Sequence, residues 1–193
     1  MRGRLFATVA VLGAFAALAT AATLALFTDQ EVVGGNSFTT SSIDISVAPA
    51  SAAISFTGMV PGDMVTDDLV VTNEPGSGAL RYSVSSTATN ADSKGLKDQL
   101  LLAVKTVDVT TPGTPCDNFD GTALYSGDLD SAAGLILGDN TQGADAGDRT
   151  LAVGAVETLC FRVELPLATG NAFQSAATTA TFTFDAEQTA NNP

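Results

Sequence analysis

Residues 158–166 read T-L-C-F-R-V-E-L-P and carry the pattern on which the fold depends. Every second side chain is apolar, namely Leu159, Phe161, Val163 and Leu165. Successive side chains of a strand point to opposite faces of its sheet, so this alternation predicts a half-buried β-strand. Cys160 lies between these apolar positions and is therefore expected to face outward.

Short β-branched or alternating segments recur along the chain, broken by Gly, Pro, Asn and Asp. They predict strands over residues 36–47, 52–57, 65–73, 79–87, 101–110, 158–166 and 177–187, with short edge strands at 123–125 and 134–137. This spacing is typical of an all-β protein, an antiparallel β-sandwich of jelly-roll type. Residues 93–100 predict one short helix, and residues 111–149 a long irregular loop region.

The turn sequence N-E-P-G-S-G at 73–78 joins residues 68–72 to residues 79–87. Pro presets one backbone dihedral and Gly adopts the dihedrals that other residues avoid, so the cluster is a strong turn signal. We expect a β-hairpin here.

The N-terminus has the composition of an export signal. Arg2 and Arg4 precede an uncharged run over residues 5–25 that ends in small residues. Positive, apolar and small residues in that order predict a signal peptide over residues 1–25. We expect cleavage between Ala25 and Leu26, leaving a flexible segment over 26–36 at the start of one β-sandwich domain over 26–193. The alternative is a retained membrane anchor, since the run is long enough to span a bilayer.

Motifs near the cut and later in the chain resemble one family. An A-x-F-[ST]-D sequence at 25–29 is followed by V-P-G-D at 60–63, V-V-T-N-E-P-G-S-G-A-L-R-Y at 70–82, and a closing pattern over 165–188. In order and spacing they resemble the TasA and camelysin family of secreted biofilm-matrix proteins. Residues 108–151 carry no recognisable part of this likeness.

The resemblance implies release by a signal peptidase of the SipW type and a location in the extracellular matrix or on the cell surface. It also implies self-association into fibres, in which the freed N-terminal segment adds to a neighbour's sheet. The residues expected to begin that donated strand are Leu26, Phe27, Thr28 and Asp29. Membrane contact is then expected only before cleavage. The alternative is a monomeric surface or secreted binding module.

Charge excludes some partners. All 21 acidic residues follow the expected cut but only six of the eight basic ones do, which leaves a net charge of −15. Such a field opposes binding to nucleic acid and to anionic membranes.

The chain contains two cysteines, Cys116 and Cys160. An even number in an exported chain favours one disulfide over two separate buried thiols. If Cys160 faces outward, the bridge would hold the loop at 111–121 over the outside of a sheet.

Catalytic motifs are missing. The sequence has no His, so it lacks the ligands of zinc peptidases and the base of Ser-His-Asp or Cys-His catalysis. The metalloprotease label often attached to camelysins is therefore not carried over, and we expect no enzyme activity and no cofactor. Calcium is a weaker alternative, because carboxylates lie among glycines at Asp128, Asp130, Asp139, Asp145 and Asp148, without the spacing of known calcium loops.

Overall fold

The computed structural model describes residues 42–50, 54–107, 115–131 and 133–192. Within these ranges the chain forms nine strands, which are β1 (Ile45–Ala48), β2 (Met64–Asn73), β3 (Leu80–Ala88), β4 (Leu101–Thr106), β5 (Ala123–Asp128), β6 (Leu135–Leu137), β7 (Arg149–Leu151), β8 (Val156–Glu164) and β9 (Ala180–Gln188). Single 3₁₀ turns occur at Leu96–Asp98 and Asn171–Phe173.

The strands form two antiparallel sheets. The first, sheet I, has the order β1-β2-β8-β4-β5. In the second, sheet II, β3 pairs along its length with β9 on one side and with the shorter β6 and β7 on the other. The chain passes repeatedly from one sheet to the other. The predicted antiparallel β-sandwich of jelly-roll type is therefore confirmed.

The core lies between the sheets and is built from the alternating apolar residues. Leu159, Phe161 and Val163 of β8 are buried there, followed by Leu165, as their spacing predicted. Leu69 and Val71 of β2 lie with them in sheet I. Sheet II contributes Leu80, Tyr82 and Val84, and the rings of Phe161 and Phe182 approach to 5.0 Å between centroids.

The predicted β-hairpin at residues 73–78 is wrong, because β2 and β3 lie in different sheets. The six-residue turn is long enough to cross the roughly 10 Å between packed sheets. Asn73 is fully buried at the crossing, where its side-chain amide donates to the carbonyl oxygens of Gly78, Leu151 and Ala152. The turn thus reverses the chain between layers rather than within one sheet.

Two further predictions need correction. Residues 54–57 form no strand, and although Ile54 packs on the core, Phe56 is 47% exposed. Pro49 follows β1 and has no N–H to donate, which ends the strand there. The helix predicted over 93–100 is a single 3₁₀ turn, because Gly95 adopts a left-handed conformation with φ of 69°.

The short strands in the irregular region were predicted well. β5 and β6 occupy sheet edges, as expected for residues 123–125 and 134–137. β4 is an interior strand of sheet I. β7 was not predicted, because its sequence R-T-L lacks the apolar run L-I-L that marks β6.

Candidate functional site: an open strand edge and a disulfide-bonded loop

β9 is a nine-residue edge strand. It pairs with β3 from Ala180 to Gln188, and no described strand lies on its other side. Long exposed edges present a row of main-chain donors and acceptors that can pair with another chain. β9 is therefore a candidate surface for strand addition, and we call its unpaired side the open edge.

The hydrogen-bond pattern identifies which residues face this open edge. Thr89 N–H donates to the Thr179 carbonyl and Thr189 N–H donates to the Ala79 carbonyl, so odd-numbered residues of β9 bond β3. In an antiparallel pair the alternate residues direct both main-chain groups to the opposite side. Those residues are Ala180, Phe182, Phe184, Ala186 and Gln188. The Gln188 carbonyl oxygen accepts from Asn192 Nδ2, and the other four have no main-chain partner on that side among the described residues.

The core beneath the open edge is incompletely covered. Phe182, Phe184 and Ala186 point into the sandwich yet are only half-buried, whereas Tyr82 of the neighbouring strand is 1% exposed. The rings of Tyr82 and Phe184 lie 6.1 Å apart. Within the described part of the chain, half-buried apolar side chains therefore lie beside main-chain groups that have no partner.

A second partly open edge lies in sheet I. β1 pairs only with residues Val70 to Asn73 of β2, so Met64 to Leu69 extend beyond it. β5 packs against β6 at one side of the sandwich, and β1 and β9 lie at the ends of their sheets away from that side.

The predicted disulfide between Cys116 and Cys160 is present in the structure, with a Cα–Cα distance of 5.4 Å. The two cysteines form a small buried cluster with Phe119, against which Ala103 packs, apart from the main core. Cys160 thus faces outward from sheet I, and the loop beginning at residue 115 lies over that outer face, as its alternation predicted.

Phe119 anchors this loop through several contacts with the side chains of the sheet. The Arg162 guanidinium lies 3.9 Å from its ring centroid and the Lys105 ammonium 4.8 Å. Lys105 Nζ also donates to the Phe119 carbonyl oxygen at 2.8 Å. At Gly121 an added Cβ would lie 2.1 Å from the Thr106 carbonyl oxygen, so only glycine allows this approach.

The acidic loop considered for calcium uses its carboxylates internally. Asp148 accepts from the N–H groups of Asp139 and Asp145, while Asp139 accepts from Thr141 N–H. Asp130 instead pairs with Lys97 at 2.8 Å, away from that loop. The described residues contain no group of three or more acidic, Cys or His side chains placed to hold a metal.

Two ion pairs tie the sheets and loops together. Glu187 of β9 accepts from Arg81 Nε at 2.5 Å and from Gly143 N–H, and this lowers the pKa of Glu187. Inside the sandwich, Glu157 pairs with Arg149 and accepts from the Tyr82 hydroxyl at 2.7 Å. Burial is the main cause that raises the pKa of Tyr82 far above its usual value of about 10.

The expected cleavage site at Ala25 and Leu26, and the donated residues Phe27, Thr28 and Asp29, lie outside the described residues. Among the described residues, no helix is both long and apolar enough to cross a membrane. Sequence reasoning missed the open edge of β9 and the role of Phe119. The alternation of T-F-T-F at 181–184 identifies a strand, but the neighbours of that strand depend on distant residues.

A protein-family model described as camelysin metallo-endopeptidase matches residues 4–107, more than half of the chain. The chain belongs to the camelysin family. This membership confirms the resemblance found in the sequence and suggests a secreted matrix protein. A search of curated proteins found no match.

The family description names a metal-dependent peptidase, and the residues present do not fit such a centre. Zinc peptidases hold their metal with His side chains, which this camelysin-family chain lacks throughout its sequence. The carboxylates of the described residues are not gathered as ligands either.

Proposed function

We propose that this camelysin-family protein is a secreted structural subunit that assembles into extracellular fibres by strand addition. The observation that carries the proposal is the open edge of β9, where four residues have main-chain groups with no partner among the described residues. The donated strand begins at Leu26, which the signal peptidase frees by cutting after Ala25. Each subunit gives one strand and accepts one, and such a head-to-tail contact produces filaments when it does not close.

The energetics indicate that both the backbone and the apolar side chains are needed. About eight new main-chain hydrogen bonds contribute roughly 0.5–1.5 kcal/mol each. Ordering a segment of about eight residues costs roughly 1–2 kcal/mol per residue, which offsets that gain. Burying an aromatic side chain adds roughly 1.5–3 kcal/mol. Phe27 therefore decides affinity by packing beside the half-buried Phe182 and Phe184.

The family relationship and the charge support the same role. Cleavage removes both N-terminal arginines, and the mature subunit carries a net charge of −15. Repulsion between subunits opposes assembly and is screened within about 8 Å at 0.15 M salt. Fibre formation is thus expected to accelerate as salt is added.

A pair of proline variants tests the acceptor strand. In Ala186→Pro the lost N–H points to the open edge of β9, so pairing with β3 is kept while addition of a strand is blocked. Ser126→Pro makes the same change on β5, at the opposite flank. Electron microscopy should show fibres for Ser126→Pro and monomers for Ala186→Pro, with matching circular dichroism spectra.

Phe27→Ala tests the donated strand, and Thr28→Ala is its control. We expect only Phe27→Ala to slow assembly.

N-terminal sequencing of the exported protein should begin at Leu26, or at Phe27. Deletion of residues 26–35 should leave a folded monomer. Fibres that form at the normal rate from that deletion would overturn the donor role, and a mature wild-type chain that stays monomeric would favour a binding module.

A further inference from the structure

The two sulfur atoms of the disulfide have different surroundings. Cys116 lines a surface groove of about 390 Å³ together with Thr66, Asp67, Asp68, Pro115 and Asp117. Cys160 is fully buried on β8. Cys116 is itself 7% exposed, so a reagent in the groove approaches the bridge from the Cys116 side.

The groove is strongly acidic. Its carboxylates belong to Asp67, Asp68 and Asp117, and none of the three forms an ion pair within the described residues. The excess of acidic residues over the whole mature chain adds to this field. Like charges repel, so the groove disfavours an attacking thiolate more strongly the more net negative charge that thiolate carries.

The buried side of the bridge holds positive charge. Cys160 lies directly opposite Lys105 of β4, and Arg162 is two residues further along the same face of β8. Both cations lie on the ring of Phe119, which packs on the disulfide, and neither forms an ion pair with a described carboxylate. Asp68 faces Cys160 from β2 and opposes them with one negative charge. Lys105 and Arg162 each favour a thiolate at Cys160, while the carboxylates of the groove oppose it.

We propose that the Cys116–Cys160 bridge is an exchange site for small neutral or cationic thiols. The thiolate of such a compound attacks Cys116 Sγ, a new S–S bond forms there, and the Cys116–Cys160 bond breaks. The electron pair leaves on Cys160 Sγ as a thiolate, which takes a proton from solvent. The product is a mixed disulfide on Cys116, and a second thiol molecule completes reduction by attacking the sulfur of the attached compound.

The asymmetry has a structural consequence. Exchange cuts the covalent link between β8 and the loop at 115–121, while Lys105 and Arg162 still hold Phe119. The loop can therefore carry a small thiol compound at Cys116 without loss of the main core, which lies on the other face of the sheet.

A charge series of thiols tests the groove with the wild-type protein. Cysteamine, 2-mercaptoethanol and mercaptoacetate are compared at equal thiolate concentration, each relative to its rate on hydroxyethyl disulfide. We expect cysteamine to exceed mercaptoacetate by about tenfold, a gap that shrinks in 1 M salt because charges are screened within about 3 Å. Equal relative rates for all three thiols would overturn the proposal.

A matched pair of variants locates the effect. The double variant Asp67→Asn with Asp117→Asn should lower the ratio of the cysteamine rate to the mercaptoacetate rate by several-fold. Asp128→Asn with Asp185→Asn removes the same charge far from the groove and should leave the gap unchanged. If both double variants lower this rate ratio equally, the selectivity depends on net charge rather than on the groove, and the proposal is wrong.

The direction of attack is read from the trapped intermediate. After brief exposure to cysteamine and alkylation of free thiols, peptide mapping should find cysteamine on Cys116 and the alkyl group on Cys160. The reverse assignment would overturn the proposal.

Lys105→Gln should slow exchange with all three thiols alike by about threefold, because it weakens stabilisation of the leaving thiolate.

Discussion

The Tyr82 hydroxyl donates to Glu157 Oε2 at 2.7 Å, and this hydrogen bond joins sheet II to sheet I through the interior. Arg149 of β7 pairs with the same carboxylate, so three strands meet at one partly buried charge. A hydrogen bond to a charged group contributes roughly 1.5–3 kcal/mol. Sheet packing therefore depends on a polar contact as well as on the apolar core.

Tyr82 makes stability sensitive to alkaline pH. Burial, then the contact with Glu157, raises its pKa in the folded state, so the folded protein keeps a proton that the unfolded chain loses near pH 10. Stability is complete below that pH and should fall by about 1.4 kcal/mol per pH unit above it. Urea unfolding between pH 9 and 11.5 measures this slope.

Tyr82→Phe should be less stable at pH 8 by roughly 1.5–3 kcal/mol. It should lose part of the alkaline slope, and the rest remains because the pKa values of Lys97 and Tyr125 are also raised. Tyr125→Phe is the control, because Tyr125 is an edge-strand residue with a smaller buried fraction. If Tyr125→Phe removes the slope and Tyr82→Phe retains it, the assignment to Tyr82 is wrong.

Glu187 should give the opposite dependence at acid pH. Arg81, Asn192 and Gly143 all donate to its carboxylate and hold its pKa below the ordinary value. Because the folded pKa is depressed, the stabilisation is present above the unfolded pKa of about 4.3 and disappears as pH falls.

Glu187→Gln should therefore flatten the loss of stability between pH 5 and 2.5, measured by urea unfolding. Some slope should remain, because backbone N–H groups of Lys94 and Ala177 lower the pKa of Asp92 in the same way. Glu164→Gln, which removes a carboxylate without these donors, is the control. An unchanged profile for Glu187→Gln would show that the contact with Arg81 carries no pH dependence.

The strands could be predicted because a half-buried strand shows its two faces in the sequence. Alternating residues identified β8 and β9, and the predicted bounds lie within three residues of the observed ends. The sequence does not show to which sheet each strand belongs. The hairpin predicted at 73–78 is wrong for that reason. Both β2 and β3 present an apolar face, which would be buried whether the two strands paired with each other or lay in opposite sheets. Their actual partners are distant in the sequence: β2 pairs with Val156–Glu164 and β3 with Ala180–Gln188.

The candidate site divides in the same way. The disulfide followed from an even number of cysteines in a chain that is predicted to carry an export signal. The outward direction of Cys160 followed from the alternation around it. The open edge of β9 did not, since an edge is defined by the strand that is missing beside it. Phe119 has no periodic pattern, and its φ of 51° places it in a conformation rare for a bulky residue.

Gly121 should be sensitive to substitution because of its closest neighbours. A Cβ would lie 2.1 Å from the Thr106 carbonyl oxygen and 2.6 Å from that of Val107, and backbone atoms cannot move aside cheaply. Gly121→Ala should cost roughly 1–3 kcal/mol by overpacking. Gly170→Ala is the matched control, since no heavy atom lies within 4 Å of its added Cβ, and its effect should stay within about 0.5 kcal/mol. Equal urea midpoints for the two variants would contradict the close approach.

The disulfide should stabilise the protein without being needed for the sandwich. The bridge spans a sequence separation of 44 residues, and closing such a loop contributes roughly 4 kcal/mol in the chain-entropy model. Cys160 faces away from the interior, where Leu159 and Phe161 are fully buried, so replacing both cysteines by serine leaves the core intact.

Cys116→Ser with Cys160→Ser should therefore keep the β-rich circular dichroism spectrum and unfold at lower urea. The intact mass of the wild type should rise by about 2 Da on reduction, the two hydrogens of a cleaved bridge. Loss of the β spectrum in the double variant at low temperature would mean that the loop at 115–121 helps to form the sandwich. A wild-type mass that does not change on reduction would mean that the two sulfurs are not bonded to each other.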